Sequence, residues 1–341
     1  MSKIVYNNNC KFNLPTIIPT FNRIIAIGDV HGDLKLVIDS LIISKVIVST
    51  KSKINSVAVK FSNSNKINYY EWIGGDTIVV QIGDQNDSCR GDCNNLINDT
   101  PDDIKIFIFY NELHELARRS PGKGAVYSLL GNHELMNVSG DFKYTSNANI
   151  NMFKTYNDPI AKKRLTGPAI ENRKEAFYNG KEYANLLGCT RQSVLIIGDF
   201  LFIHAGMTKF VLDNFTNSSK PEDFQKLNRA NLPRLNKAIK NWLLQTLNEF
   251  DDRTMNELLN SSENSPFWTR IFGQLPPKLS YDNEDCQKYL DPVLEAYGIK
   301  GMIIGHTPQD VGINSTCGNR LFRIDIGASK AFNNKRAPQV L

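Results

Sequence analysis

Five short glycine-bearing motifs, most of them set directly behind an apolar run, constrain this chain more than any other feature. They read GDVHGD at 28–33, GDQND at 83–87, GNHE at 131–134, HAG at 204–206 and GHT at 305–307. The runs before them are RIIAI, TIVVQI, VYSLL, LFI and MII. Each polar cluster therefore falls where a buried strand would end, and in open α/β sheets that edge is where ligands bind. A lone Gly-Asp after a strand is a turn, and a lone histidine there is a satisfied polar residue. Five such clusters in order, holding four of the five histidines, are a site.

The segments between the motifs alternate short strands with helices, which predicts a layered α/β domain. Residues 23–27, 77–82, 125–130, 193–197, 200–203, 302–304 and 321–326 read as strands, with a Gly198-Asp199 turn. Near-helical spacing predicts a helix over 34–44. Another should start at Thr100-Pro101-Asp102-Asp103, with Thr100 as cap and Pro101 in the first position, and run to Arg119 before Pro121-Gly122. Residues 45–75 alternate in a hairpin-like way around the polar 62–68 stretch, and 221–260 reads as helical. Residues 1–22 form an extended lead-in, 23–330 one catalytic domain, and 331–341 a tail. The polar stretch 140–187, broken by Pro159 and Pro168, reads as a mostly helical insertion, a candidate cap.

Composition excludes several classes. The net charge of +5 is modest and comes without a long Lys/Arg block, so charge does not argue for nucleic-acid binding. No apolar run reaches the ~18 residues of a membrane span, and the N-terminus MSKIVYNNNCKF has no secretory apolar core. The six cysteines are scattered and form no dense disulfide pattern, which predicts reduced thiols and a cytoplasmic setting. The sequons at Asn137, Asn217 and Asn314 are accidents of an Asn-rich chain, and Arg90-Gly91-Asp92 is a coincidental adhesion tripeptide.

Asp29 and His31 are two apart, so in extended backbone both project the same way. Asp84 can offer one carboxylate oxygen to each of two ions. Asn132 adds an amide oxygen, and His204 and His306 add imidazoles. Such oxygen and nitrogen donors suit Mn²⁺, Fe or Zn²⁺. Cys89 and Cys93 lack the second pair of a structural zinc site. His114, within NELHELARR, sits mid-helix and reads as structural.

Two ions about 3.5–4 Å apart can hold a bridging hydroxide and polarise a phosphoryl oxygen, a design for direct in-line hydrolysis. Phosphate also needs cationic donors, and planar bidentate recognition favours arginine. Arg270, in SPFWTR, and Arg90, just after GDQND, are the candidates. His133, partnered by Asp87, could donate a proton to the leaving oxygen; otherwise Asp87 only orients its neighbours.

The series GDxHG…GDxxD…GNHE…HAG…GHT resembles the calcineurin-like metallophosphoesterases, and within them the phosphoprotein phosphatases. GDFLFIHAGM, SPFWTRIFG and GIKGMIIGHTPQ look most like the bacterial-like (Shewanella-like) branch. The resemblance spans nearly the whole chain. It implies a central β-sandwich flanked by helices and two divalent ions, Mn²⁺ first, with Fe or Zn as alternatives. It places Asp29, His31 and Asp84 on one ion, and Asp84, Asn132, His204 and His306 on the other. His133 with Asp87 would form the acid pair, and Arg270 would bind phosphate. Many wider superfamily members end in GHxH; this chain has Gly305-His306-Thr307-Pro308, which favours the phosphatase branch. It also departs from the branch: where the usual motif is GDxxDRG, Ser88 follows Asp87, so either the loop is rearranged and Arg90 fills the arginine's place, the favoured reading, or phosphate binding is weakened. The expected activity is hydrolysis of phosphomonoesters on phosphoproteins, Ser/Thr by default with Tyr as the variant, or of small phosphomonoesters. A dinucleoside polyphosphate hydrolase or other phosphodiesterase, and a non-catalytic binding scaffold, are the competing readings.

Overall fold

The apolar runs become strands of two packed sheets. A computed structural model describes residues 10, 14–18, 22–93, 96, 99–216, 224–333 and 336–341. The first sheet is parallel, with strands in the spatial order Arg191–Gln192, Ala125–Leu129, Ile78–Gln81 and Ile24–Ile27. The second is mixed, in the order Ile17–Ile18, Val194–Ile197, Phe200–Ile203, Gly301–Ile304, Leu321–Arg323 and Asn314–Thr316.

Alternation along each strand sorts side chains to opposite faces, and here both faces are covered. Ala26, Val80, Tyr127, Leu195, Phe202 and Ile303 meet between the sheets. On the outer face of the parallel sheet, Ile25, Val79 and Val126 pack with Val37 and Leu41 of the helix Leu34–Ile43 and with Phe109 and Leu113 of the helix Asp103–Arg119. Ile196, Leu201 and Met302 face the helices on the other side. The result is helices, sheet, sheet, helices. Each large apolar side chain so buried stabilises the fold by roughly 1.5–3 kcal/mol of transfer free energy.

Register then positions the motifs. Ile27 pairs with Gln81, and Gln81 with Ser128, so 28–33, 83–87 and 131–134 leave one edge together. Phe202 pairs in parallel with Ile303, which brings His204 and His306 to a common edge of the second sheet.

Several local expectations shift. Residues 45–75 form three antiparallel strands, Ile47–Thr50, Ser56–Lys60 and Ile67–Trp72, rather than one hairpin. The helix expected to start at Thr100 begins at Asp103. Thr100 spends its hydroxyl on the Asp102 carboxylate at 2.6 Å instead of capping. The 140–187 stretch holds helices Asn147–Asn151, Ala169–Phe177 and the start of Glu182–Thr190, together with a hairpin of Tyr156–Asp158 and Lys163–Leu165. Its Phe153, Tyr156 and Phe177 enter the core beside the second sheet. Much of the lead-in (1–9, 11–13 and 19–21) lies outside the described residues, but its Ile17–Ile18 pairs with Val194–Ile197. At the other end, Leu341 exchanges both backbone hydrogen bonds with Ala26.

The cysteines correct the sequence reading. All six pair, as Cys10–Cys189, Cys89–Cys93 and Cys286–Cys317. Separations of 179 and 31 residues are closed by tertiary structure, which spacing along the chain cannot reveal. The cytoplasmic expectation drawn from reduced thiols loses that support, since disulfides persist mainly in oxidising compartments. Among the described residues no helix is long and apolar enough to cross a membrane.

Candidate metal centre

The turn after each strand is held in conformations that few side chains adopt. His31, Asp84, Asp87 and His306 all have left-handed backbone, with φ of 41°, 52°, 69° and 64°. Non-glycine residues in this region are strained, and such strain gathers at functional sites. Two motif glycines are required by close approach. A Cβ at Gly131 would collide with the Asp84 carboxylate, and one at Gly305 with that of Asp29. Glu134 ties two motifs together, accepting the backbone N–H groups of Gly131 (2.6 Å), Asp84 (3.0 Å) and Gln85 (2.6 Å).

These turns converge the six candidate ligands. Asp84 Oδ2 lies 3.8 Å from His31 Nε2 and 3.4 Å from His204 Nε2, between the two donor sets. Asp29 Oδ2 is 3.9 Å from His31 Nε2. Asn132 Oδ1 is 3.0 Å from both His204 Nε2 and His306 Nδ1, while its amide nitrogen turns to the Met136 sulfur. The outer ring nitrogens are already committed. His204 Nδ1 faces the Ile82 carbonyl at 2.9 Å, and His306 Nε2 faces that of Trp268 at 3.0 Å. Such outer bonds fix tautomer and ring orientation in metal-binding histidines, leaving the inner nitrogens to ligate.

The electrostatics ask for cations. Burial, followed by the charges of Asp325 and Asp84, pushes the Asp29 carboxyl well above the usual carboxylate range. Asp325 is pushed up to about 6, chiefly by burial. Burial also opposes the Asp84 charge, but the histidines around it, His204 first, hold its carboxyl well below its ordinary value. His306 is pressed down to about 3 by burial, by His204 and by the nearby Arg270, and His31 is depressed by burial and by Arg90, so the neutral ring is favoured in both. Asp29 Oδ1 and Asp325 Oδ2 are buried with no hydrogen-bond partner. Unpaired buried carboxylate oxygens are costly unless a cation meets them. The atoms His31, Asp84, His133 and Asp84, His204, His306 form two groups whose nitrogens and oxygens lie within 4.8 Å of one another. The donors present fit two divalent ions.

Beside them, His133 Nδ1 meets Asp87 Oδ2 at 2.8 Å, which leaves Nε2 facing the cluster. Arg90 reaches in despite its shifted place in the motif. Its Nη2 lies 3.1 Å from His31 Nδ1 and 3.3 Å from His133 Nε2, and its guanidinium is flanked by the rings of Tyr144 and Phe332 at 4.9 and 5.0 Å. The Cys89–Cys93 disulfide closes the loop that carries it. Arg270 is exposed, close enough for its charge to act on His306. His114 is apart from all of this, bonded to the Val126 carbonyl at 2.7 Å and packed on Tyr127, as its mid-helix position implied.

Sequence reasoning missed the residues behind the His133–Asp87 pair. Asn137 Nδ2 donates to both Asp87 oxygens, at 3.0 and 2.9 Å, and Thr145 Oγ1 donates to Oδ1 at 2.7 Å. Asn137 stands four residues after His133 on the helix Asn132–Val138, so helical spacing could have found it. Thr145 carried no signal.

A family model described as calcineurin-like phosphoesterase matches residues 22–310. A protein of Acanthamoeba polyphaga mimivirus is 37% identical over 247 residues, covering 69% of this chain and 93% of that protein. Shewanella-like protein phosphatase 2 of Arabidopsis thaliana is 26% identical over 336 residues, covering 90% and 72%. Among solved structures, the cold-active protein-tyrosine phosphatase of a psychrophilic Shewanella superposes with a TM-score of 0.60 at 20% identity, covering 96% of this chain and 77% of that one, and so shares the fold.

Proposed function

This chain belongs to the calcineurin-like phosphoesterase family, and from that premise we propose that it removes phosphate from phosphoproteins as a monoesterase. Membership makes it a metal-dependent hydrolase, and phosphatases stand among its relatives. The observation that carries the finer reading is the position of Arg90, half-buried with its guanidinium 3.1 Å from His31 and 3.3 Å from His133 beside the two donor groups. A phosphomonoester dianion has the charge and the free oxygens to exchange for those contacts.

In this reading Asp29, His31 and Asp84 hold one ion, and Asp84, Asn132, His204 and His306 the other, with Mn²⁺ first and Fe or Zn as alternatives. Bound there, the ions would supply a water of lowered pKa and neutralise charge on the phosphoryl oxygens. The chain does the rest. Arg90 and Arg270 grip the remaining phosphate oxygens. Asp87 keeps His133 Nδ1 occupied at 2.8 Å, so the proton for the leaving oxygen is carried on Nε2.

Serine and threonine phosphates are the default substrates. Phosphotyrosine is the second reading, favoured by the Tyr144 and Phe332 rings that flank Arg90. A dinucleotide needs a pocket for its base, and three aromatic residues of the 140–187 stretch, Phe153, Tyr156 and Phe177, are buried in the core and do not line one.

After chelator stripping and Mn²⁺ addition, para-nitrophenyl phosphate should be hydrolysed in preference to its bis-ester. Preference for the diester overturns the monoesterase reading. Phosphopeptides bearing Ser, Thr or Tyr phosphate then separate the two substrate readings, and metal analysis of the purified protein identifies the ions.

A further inference from the structure

Among the described residues Arg173 is the largest fully buried side chain, and it comes from the helix Ala169–Phe177 within the 140–187 stretch. A buried guanidinium must satisfy its donors or cost several kcal/mol, and this one does so on two sides. Nε and Nη2 both donate to Asn137 Oδ1, at 3.1 and 2.6 Å. Nη2 also pairs with Asp103 Oδ2 at 3.1 Å, and Nη1 donates to the Asn149 carbonyl at 3.2 Å. The rings of Phe142, Phe153 and Phe177 close around its carbon, the nearest at 4.6 Å.

The consequence lies in the amide it grips. An asparagine side chain can turn either end toward a neighbour. With Oδ1 of Asn137 taken by two guanidinium donors, only Nδ2 can face Asp87, and it donates to both carboxylate oxygens. Turned over, Asn137 would set an oxygen against a carboxylate. Thr145 and Asn137 then fill Asp87, leaving Oδ2 aligned on His133 Nδ1. The same Asn137 nitrogen also touches the His133 carbonyl at 3.0 Å, so helix and ring are fixed together. Asp103 completes the loop by accepting the Asp87 backbone N–H at 3.3 Å.

We propose that Arg173 is a positioning residue for the acid pair: its planar fork sets the orientation of Asn137, which locks Asp87 and through it holds His133 with Nε2 toward the leaving oxygen. The inference rests on the phosphatase reading for its catalytic meaning, but the positioning itself does not. It needs an arginine, since a lysine ammonium is a single point charge and cannot span Asn137, Asp103 and the Asn149 carbonyl in one plane.

Two measurements on Arg173→Met and Arg173→Lys test it. The first is ¹⁵N-histidine NMR of the metal-free protein, which reads the His133 Nδ1–H bond whether or not the protein is a phosphatase. In both variants this signal should be lost or should exchange with the other tautomer, while the His114 and His204 signals persist; an unchanged His133 signal overturns the proposal. The second compares phenyl phosphate, whose leaving group needs a proton, with 2,4-dinitrophenyl phosphate, whose leaving group does not. The kcat for the phenyl ester should fall on the order of 10–100-fold, by analogy with the range for partners that orient metal ligands, with KM, bound metal and turnover of the dinitrophenyl ester changed less than about 3-fold. An equal fall for both esters makes Arg173 a structural strut and overturns the proposal. If the wild-type protein cleaves neither ester, the phosphatase reading fails and the NMR result alone decides the positioning. If neither Arg173 variant folds, Asn137→Ser removes the same relay at its second link and is read by the same two criteria.

Discussion

Asp84 keeps one carboxylate oxygen on the backbone N–H of His133, at 3.0 Å, and turns the other toward Nε2 of the same residue, 3.8 Å away. One side chain therefore joins the candidate metal centre to the acid pair. Asp84→Asn leaves the backbone contact available but removes the anion shared by both donor groups. Turnover should fall by more than ~100-fold, beyond the range for losing a contact that only supports a ligand, and bound metal should drop below that of the wild type. Near-normal activity with two equivalents of metal by elemental analysis would sink the dinuclear assignment.

The two arginines should separate kinetically from the ligands. Arg270→Ala should raise KM and lower kcat with no loss of metal. Arg90→Ala should do the same and more strongly, because Arg90 already reaches His31 and His133 while Arg270 is exposed. Lysine should restore little at position 90, where the flat guanidinium fits between two rings. Loss of metal from either alanine variant means the role has been misassigned.

Arg90 also owes its place to its loop. Its Nη1 donates to the carbonyls of Asp87 and Cys89, and the Cys89–Cys93 bond closes the segment around it. Opening that ring with Cys89→Ser/Cys93→Ser gives the arginine conformations that binding must then freeze, a cost paid in affinity. KM should rise several-fold while metal content holds and kcat changes little. A collapse of kcat at unchanged KM would show that the loop serves the reaction step instead.

The candidate centre was legible in the sequence because its candidate ligands lie just after strands, in the following turn or, for Asn132, at the start of the next helix, and most of those strand ends announce themselves as apolar runs meeting glycine. Its supports were not. Arg173 and Thr145 come from a stretch without clear periodicity, and Arg173 meets Asn137 and Asp103 across 36 and 70 residues. Long-range pairing of this kind leaves no local signature, and the same reason hid the Cys10–Cys189 and Cys286–Cys317 disulfides. Nor does composition announce left-handed backbone at His31, Asp84, Asp87 and His306, which the fold imposes against their steric preference. The helix start failed for a local reason. Thr100 donates its hydroxyl to Asp102, and its oxygen accepts from Lys330 Nζ rather than from a helix N–H.

Burial of Arg173 between two carboxylates gives stability a predictable pH dependence. Burial raises the Asp103 carboxyl from 3.8 to about 7, with the Arg173 charge opposing and the Asp87 charge adding. Asp87 moves the other way. Burial would raise it, but the hydrogen bond and charge of His133, then Arg173 and Thr145, bring it below 3.8. One guanidinium thus serves two buried carboxyls, and Asp103 is the one whose charged form burial opposes more strongly. Below 3.8 both folded and unfolded chains keep the Asp103 proton, and the group contributes no slope. Between 3.8 and about 7 the folded state binds a proton that the unfolded chain has released, so stability falls as pH rises through this window. Above about 7 the full cost is present. Asp103→Asn cannot ionise, so the difference in unfolding free energy between wild type and variant should drift steadily against the wild type from pH ~4 to ~7 and then level off. Urea unfolding at a series of pH values measures that difference directly, since titrating groups that do not interact with Asp103 cancel between the two proteins. Parallel stability curves across the window would mean that Asp103 is ionised throughout and that Arg173 serves both carboxylates equally.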